Sequence, residues 1–284
     1  MKTTTNKETE VWNRVARIHD LADSLEEVAY LRSTGYNGEK DYIYYDYIYK
    51  WSRMLKCCKH LGLLGANKTI AEIGGGLSPV QFMLANHGCN VINMDIDFER
   101  TWFPTQGKYY IRASPQFIAE SEKNATRIQY MRGSVFDEIK KIPSNSVDAA
   151  IETCAIHLFI GDGRNGLMDQ IARILKPGGY FISIGDVANP HLGKCDHEFQ
   201  YPKEMAQALC ANAHLQLVKP YDYETWEKEL TDYTHIIPRR NVDYTELSLL
   251  NMKNDPKSIP YNNVPTYPIH LWTATYILQK DQEV

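Results

Sequence analysis

The stretch AEIGGGLSPV, Ala71 to Val80, sets three consecutive glycines behind a short apolar run, with a Ser-Pro pair where many nucleotide-binding loops carry a further glycine. A glycine-rich turn between a strand and a helix lets a ligand come close to the backbone, because no Cβ intrudes. Gly74, Gly75 and Gly76 are therefore the ligand half of the loop. The rest is a helix start. Ser78 reads as an N-cap, Pro79 suits the first helical position, and Gln81 completes an S-x-x-Q capping box. Leu77 and Phe82 stand at the positions of a hydrophobic staple.

Outward from this loop, apolar runs alternate with amphipathic segments. KTIAEI, NVINMDID, TRIQYMRG, SVDAAIET, GGYFISIGD, LQLVKPY and WTATYILQ read as strands. SPVQFMLANHG, NGLMDQIARIL and PKEMAQALCANA read as helices. Buried Val and Ile runs alternating with helices predict an α/β fold, a Rossmann-like, mostly parallel seven-stranded sheet with helices on both faces. Before the loop, Val11, Val15, Ile18, Leu21 and Leu25 mark a helix over roughly 8–32. Tyr44, Ile48, Trp51, Leu55, Cys58 and Gly62 mark another that ends near Gly62 to Gly65. The expected organisation is an N-terminal helical cap (1–66), an α/β core (67–222), an insertion (223–270) and a last core strand (271–284). The insertion is rich in Tyr, Pro and Asn, and a connection that long in a compact domain commonly forms a lid or a substrate wall.

Bulk properties narrow the function. The chain has 284 residues, 43% of them apolar and 23% charged, with net charge −4 and no long basic run. That argues against broad electrostatic binding to nucleic acid. No apolar run reaches membrane-spanning length, and the polar start MKTTTNKETE does not read as a signal peptide. Six scattered cysteines fit reduced thiols in a cytoplasm better than a disulfide framework. His191, Cys195 and His197 in HLGKCDH make an incomplete zinc pattern, so no metal is expected.

Two ligands compete for the loop, a nicotinamide or flavin dinucleotide and S-adenosylmethionine (SAM). A G-x-G-x-x-G fingerprint starting at Gly74 would need its last glycine at position 79, which is Pro79. Asp95 closes the second strand, where either fold uses an acid on ribose hydroxyls. RGSVFDEI after the third strand, SVDAAIETCAIHLF across the fourth, and ILKPGGYFISIGD into the fifth complete an ordered set. Together these motifs resemble the class I SAM-dependent methyltransferases, over roughly Lys68 to Val218 plus the last strand.

The resemblance implies the following roles. Glu72 helps hold the methionine end of SAM, with Gly74, Gly75 and Gly76 admitting it. Asp95 takes the ribose hydroxyls and Ile96 lies against the adenine. Ser134 and Val135 line the adenine edge, although the family often has Asp where this chain has Ser134. Thr153, with Cys154, floors the pocket near the methyl group. His157, in the loop after the fourth strand, is the candidate general base, with His235 and His270 behind it. The tetrapeptide of DNA amino-methyltransferases, the Pro-Cys pair of cytosine-C5 enzymes and the carboxylates of the metal-dependent catechol type are not evident. The expected acceptor is a hydroxyl, ahead of an amine, on a small metabolite or sugar-like compound. Two alternatives stand beside it, a non-catalytic SAM-fold subunit and an NAD-dependent oxidoreductase. Oligomeric state is not legible in the sequence.

Overall fold

A computed structural model describes residues 47–76, 78–96, 115–156, 159, 162–188, 202–218 and 271–282. The expected helix over 8–32, the Leu77 side of the staple, His157, the HLGKCDH cluster, His235, His270 and the 223–270 insertion lie outside the described residues.

Seven strands form one sheet: β1 (Thr69–Ile73), β2 (Asn90–Asp95), β3 (Ile128–Arg132), β4 (Val147–Thr153), β5 (Leu175–Ala188), β6 (Leu215–Leu217) and β7 (Leu271–Lys280). Their order is β3-β2-β1-β4-β5-β7-β6. The first five pair in parallel, while β7 runs antiparallel to both β5 and β6. All seven expected strands are present. The chain reverses its building direction after β3, and ligands of open α/β sheets bind beyond the strand ends at such a switch point.

The helices are α1 (Tyr47–His60), α2 (Val80–Asn86), α3 (Pro115–Asn124), α4 (Val135–Glu138), α5 (Asp162–Ile174) and α6 (Pro202–Leu209). Strand residues alternate between two apolar layers, as a pleat of period two requires. Ile70, Val91, Ile151 and Ile182 pack with Trp51, Met54 and Cys58 of α1 and Phe82 and Met83 of α2. Ala71, Met94, Ala150 and Phe181 pack on the other face with Leu167 and Ile171 of α5 and Met205 and Leu209 of α6. Helices therefore cover both faces.

Of the expected stripe, Trp51, Leu55 and Cys58 are buried against the sheet, Tyr44 and the Ile48 side chain lie outside the described residues, and the helix ends as predicted. Gly62 takes φ +64, and Leu63 N–H reaches back 2.8 Å to Cys58 C=O, so glycine supplies the left-handed residue that stops the helix. Two features depart from the sequence reading. Helix α3 was not anticipated, because PQFIAESEKN carries too few apolar residues to mark a face. The KPGG turn sits inside the β5 element, where the β4 pairing slips between Val147 and Ala149 and Gly178 takes φ +76.

At the strand start, Asp148 ties three elements together. Its Oδ2 accepts from Thr69 N–H at 2.9 Å and from Lys176 Nζ at 2.8 Å, with Lys68 Nζ 3.7 Å from Oδ1. Burial pushes this carboxyl up, but Lys176, the Thr69 amide and Lys68 outweigh it and hold it below its ordinary value.

Candidate active site

The described residues that follow β1, β3 and β4 are tied to neighbouring strands by backbone hydrogen bonds. Gly74 N–H donates to Met94 C=O at 2.8 Å, Gly133 N–H to Asp95 C=O at 3.0 Å, and Cys154 N–H to Ile184 C=O at 2.8 Å. These bonds extend the order of the sheet into the residues just beyond the strand ends.

Close approach explains the glycines. A Cβ on Gly74 would lie 2.7 Å from the Ala155 Cβ, and one on Gly75 would lie 2.5 Å from Asn93 Oδ1 and 2.7 Å from Glu72 Cδ. A Cβ on Gly76 would lie 3.2 Å from Asp95 Oδ2. Gly74 and Gly76 also take φ +62 and +42, values costly for any residue with a Cβ. The three glycines, Glu72 and Asp95 are thus one constellation.

Glu72 is fully buried, and burial pushes its carboxyl up to about 8, helped by the nearby Asp95 charge and opposed by a Ser78 hydrogen bond. Asp95 is half-buried at the end of β2, and Ile96 beside it is 70% exposed. Ser134 precedes α4 in an extended conformation. The Val135 side chain is buried in the core with Met131 and Ile139. Thr153 is half-buried at the end of β4, and Cys154 after it takes φ +57.

The capping box is corrected. Ser78 N–H is already committed to Gly75 C=O at 2.7 Å, so Gln81 has no amide to accept from. Instead Gln81 Nε2 donates to Ser78 C=O at 2.9 Å and Gly76 C=O at 3.4 Å, while Ser78 Oγ accepts from Val80 N–H at 3.0 Å. The Gln81 Oε1 atom accepts from Asn93 Nδ2 at 2.9 Å. Gln81 and Asn93, both fully buried, brace the glycine loop against β2.

Glu152 is the other residue that motif reading left without a role. It is fully buried beside Ser183 in the parallel register of β4 and β5. Its Oε1 accepts from Ser183 Oγ, and its Oε2 accepts from Ala155 N–H at 2.8 Å and Ile156 N–H at 3.1 Å. Burial raises this carboxyl, with those three hydrogen bonds and the Lys50 charge acting in the opposite direction. One side chain therefore holds the turn that presses Ala155 against Gly74. The available signal was polar interruption: Asn93 and Glu152 each break an otherwise apolar strand.

A cavity of about 430 Å³ lies at the opposite end of the strands, lined by Asp169, Arg173, Asn212, His214, Lys280 and Asp281. Its polar groups are engaged with one another and with backbone, as in Asn212 to Asp169 at 2.6 Å and Lys280 to Leu175 C=O at 2.9 Å. Among the described residues, no cluster of three His, Cys, Asp or Glu is placed to hold a metal, and no helix is long and apolar enough to cross a membrane. The five cysteines among them, Cys57, Cys58, Cys89, Cys154 and Cys210, are free thiols.

Comparison with known proteins agrees with this geometry. A family profile described as a methyltransferase domain matches residues 71–183, from the glycine loop through β5. No curated protein matches at a significant level. Among solved structures, the chain is similar to geranyl diphosphate C-methyltransferase from Streptomyces coelicolor A3(2), at TM-score 0.51 and 14% identity over 88% of this chain and 87% of that one. It is similar to phosphoethanolamine N-methyltransferase 2 from Haemonchus contortus, at TM-score 0.54 and 14% identity over 90% of this chain and 60% of that one. It is also similar to the [4+2]-cyclase SpnF, at TM-score 0.50 and 14% identity over 81% of each chain. At such identities the likeness is one of fold.

Proposed function

We propose that this chain, whose residues 71–183 match a methyltransferase-domain profile, is a class I SAM-dependent methyltransferase that methylates a hydroxyl of a small metabolite or sugar-like acceptor. The observation that carries the cofactor reading is the convergence of bare backbone and two carboxyls. The position where Gly76 lacks a Cβ lies 3.2 Å from Asp95 Oδ2, and Glu72 stands behind Gly75. This cradle fits a ligand with a diol at one end and a cation at the other.

SAM, when bound, supplies a methyl group on a sulfonium, already activated for in-line displacement. The chain's own task is to orient and to exclude water. In this reading Gly74 to Gly76 give the cofactor its backbone wall, Glu72 answers its positive end, and Asp95 accepts from the ribose hydroxyls. Ile96 covers the adenine face, Ser134 and Val135 meet its edge, and Thr153 floors the pocket. His157 follows the turn held by Glu152, and its imidazole takes the proton of the acceptor hydroxyl. The cap (1–66) and the insertion (223–270) enclose that acceptor.

The second reading is a SAM-fold subunit that binds the cofactor without methylating, since one fold serves unrelated functions. Two variants separate them. Asp95→Ala is expected to weaken SAM binding at least tenfold, about 1.4 kcal/mol, by calorimetry; an unchanged affinity removes Asp95 from the site. His157→Ala is expected to lower kcat roughly a hundredfold with SAM affinity unchanged. Full activity in His157→Ala excludes it as the base, and SAM binding without turnover on any hydroxyl acceptor favours the second reading.

A further inference from the structure

Two buried oxygens at the glycine loop lack a hydrogen-bond donor, Glu72 Oε2 and Asn93 Oδ1. They are neighbours. Glu72 and Asn93 are register partners on β1 and β2, and a Cβ on Gly75 would touch both side chains, at 2.7 Å from Glu72 Cδ and 2.5 Å from Asn93 Oδ1. Which atom of the Asn93 amide faces Glu72 follows from the chain of bonds behind it. Gln81 must turn its amide nitrogen to the carbonyls of Ser78 and Gly76, so its oxygen faces Asn93 and takes the Asn93 NH2 group. The Asn93 oxygen is thereby left towards Glu72.

Two acceptors placed together in a fully buried setting need a proton between them. We infer that in the ligand-free protein Glu72 is a neutral carboxylic acid that donates its proton to Asn93 Oδ1, and that seating a cationic ligand at the glycine loop expels this proton. The second clause rests on the SAM reading; the first does not.

The surroundings agree. Asp95 at the end of β2 faces Glu72 and disfavours a second negative charge. The Ser78 hydroxyl donates to the carboxyl and favours its ionisation, yet the balance leaves the acid in the range of about 8. From α1 and β3 the groups that sense Glu72 are the Cys58 thiol and the Tyr130 phenol, both pushed upward by burial and neither a cation. Among the described residues the charge assigned to Glu72 is that of Asp95, an anion, and no cation is assigned to it.

A proton held more tightly in the folded chain than in the unfolded one has a signed consequence. Glu72 rises from 4.5 to about 8 on folding, so its contribution to stability is complete below 4.5 and is lost as pH rises towards 8. Infrared difference spectra of ligand-free wild type against Glu72→Gln should show the carbonyl stretch of a neutral carboxyl at pH 6.5, titrating away near pH 8. Glutamine can still donate to Asn93, so this variant should fold and lose the pH-dependent decline in unfolding midpoint. Only carboxylate bands at pH 6.5, or equal pH slopes in both proteins, overturns the inference. If Glu72→Gln does not fold, Asn93→Ala replaces it. Removing the acceptor shifts the neutral-carboxyl band if the acid is Glu72, and leaves it in place if it is not.

Calorimetry with SAM at pH 6.5, in buffers of different ionisation enthalpy, should report about one proton released per ligand bound. Binding without release overturns the coupling. No binding of SAM overturns the functional reading while leaving the infrared result to stand on its own.

Discussion

Gly75→Ala is expected to weaken SAM binding roughly a hundredfold, while Gly62→Ala, remote from the loop, leaves it unchanged. The new Cβ would meet Asn93 Oδ1 at 2.5 Å and Glu72 Cδ at 2.7 Å. Neither neighbour can swing aside, since both are fully buried and Asn93 is held by Gln81. The loop itself must lift, and overpacking of this kind costs about 1–3 kcal/mol, enough for roughly one to two decades of affinity. Calorimetric titration of both variants checks it. Wild-type affinity in Gly75→Ala would mean that the ligand does not depend on the height of this loop.

Glu152→Ala should give the largest loss of stability from a single polar substitution in the site. It strips partners from the Ala155 and Ile156 amides and from the Ser183 hydroxyl, all buried. Each orphaned group costs about 1–3 kcal/mol, so a total of roughly 4 kcal/mol and a melting point lower by about 8–16 °C are expected. Thermal denaturation checks the first effect. The same turn presses Ala155 to Gly74, so SAM affinity should fall as well. Glu152→Gln, which keeps the volume and some of the hydrogen bonds, should recover part of both. A melting point within a degree or two of wild type in Glu152→Ala would refute the bracing role.

The strand and helix alternation was legible because each strand of a buried parallel sheet is an apolar run, and IAEI, VINM and AAIE are such runs. The glycine loop and Asp95 were legible because their spacing along the chain is itself the signal. What the sequence hid depends on register. Nothing in AEIGGG and NVINMD states that Glu72 stands beside Asn93, or that Glu152 stands beside Ser183, because pairing between strands is settled only when the sheet assembles. The capping box failed for a related reason. The S-x-x-Q pattern is local, but Ser78 N–H had a nearer partner in Gly75 and Gln81 was recruited across to β2. Helix α3 escaped because its face is polar where it is exposed, as at Gln116, Glu120 and Glu122.

The central claim is that the loop Gly74 to Gly76, with Glu72 and Asp95, is a seat for SAM. It is tested most directly by titrating the full chain calorimetrically with SAM, S-adenosylhomocysteine and NAD under one set of conditions. Saturable binding of SAM and S-adenosylhomocysteine, each lost or weakened at least tenfold in Asp95→Ala, with no binding of NAD, is the predicted result. Binding of NAD with none of SAM would contradict the account.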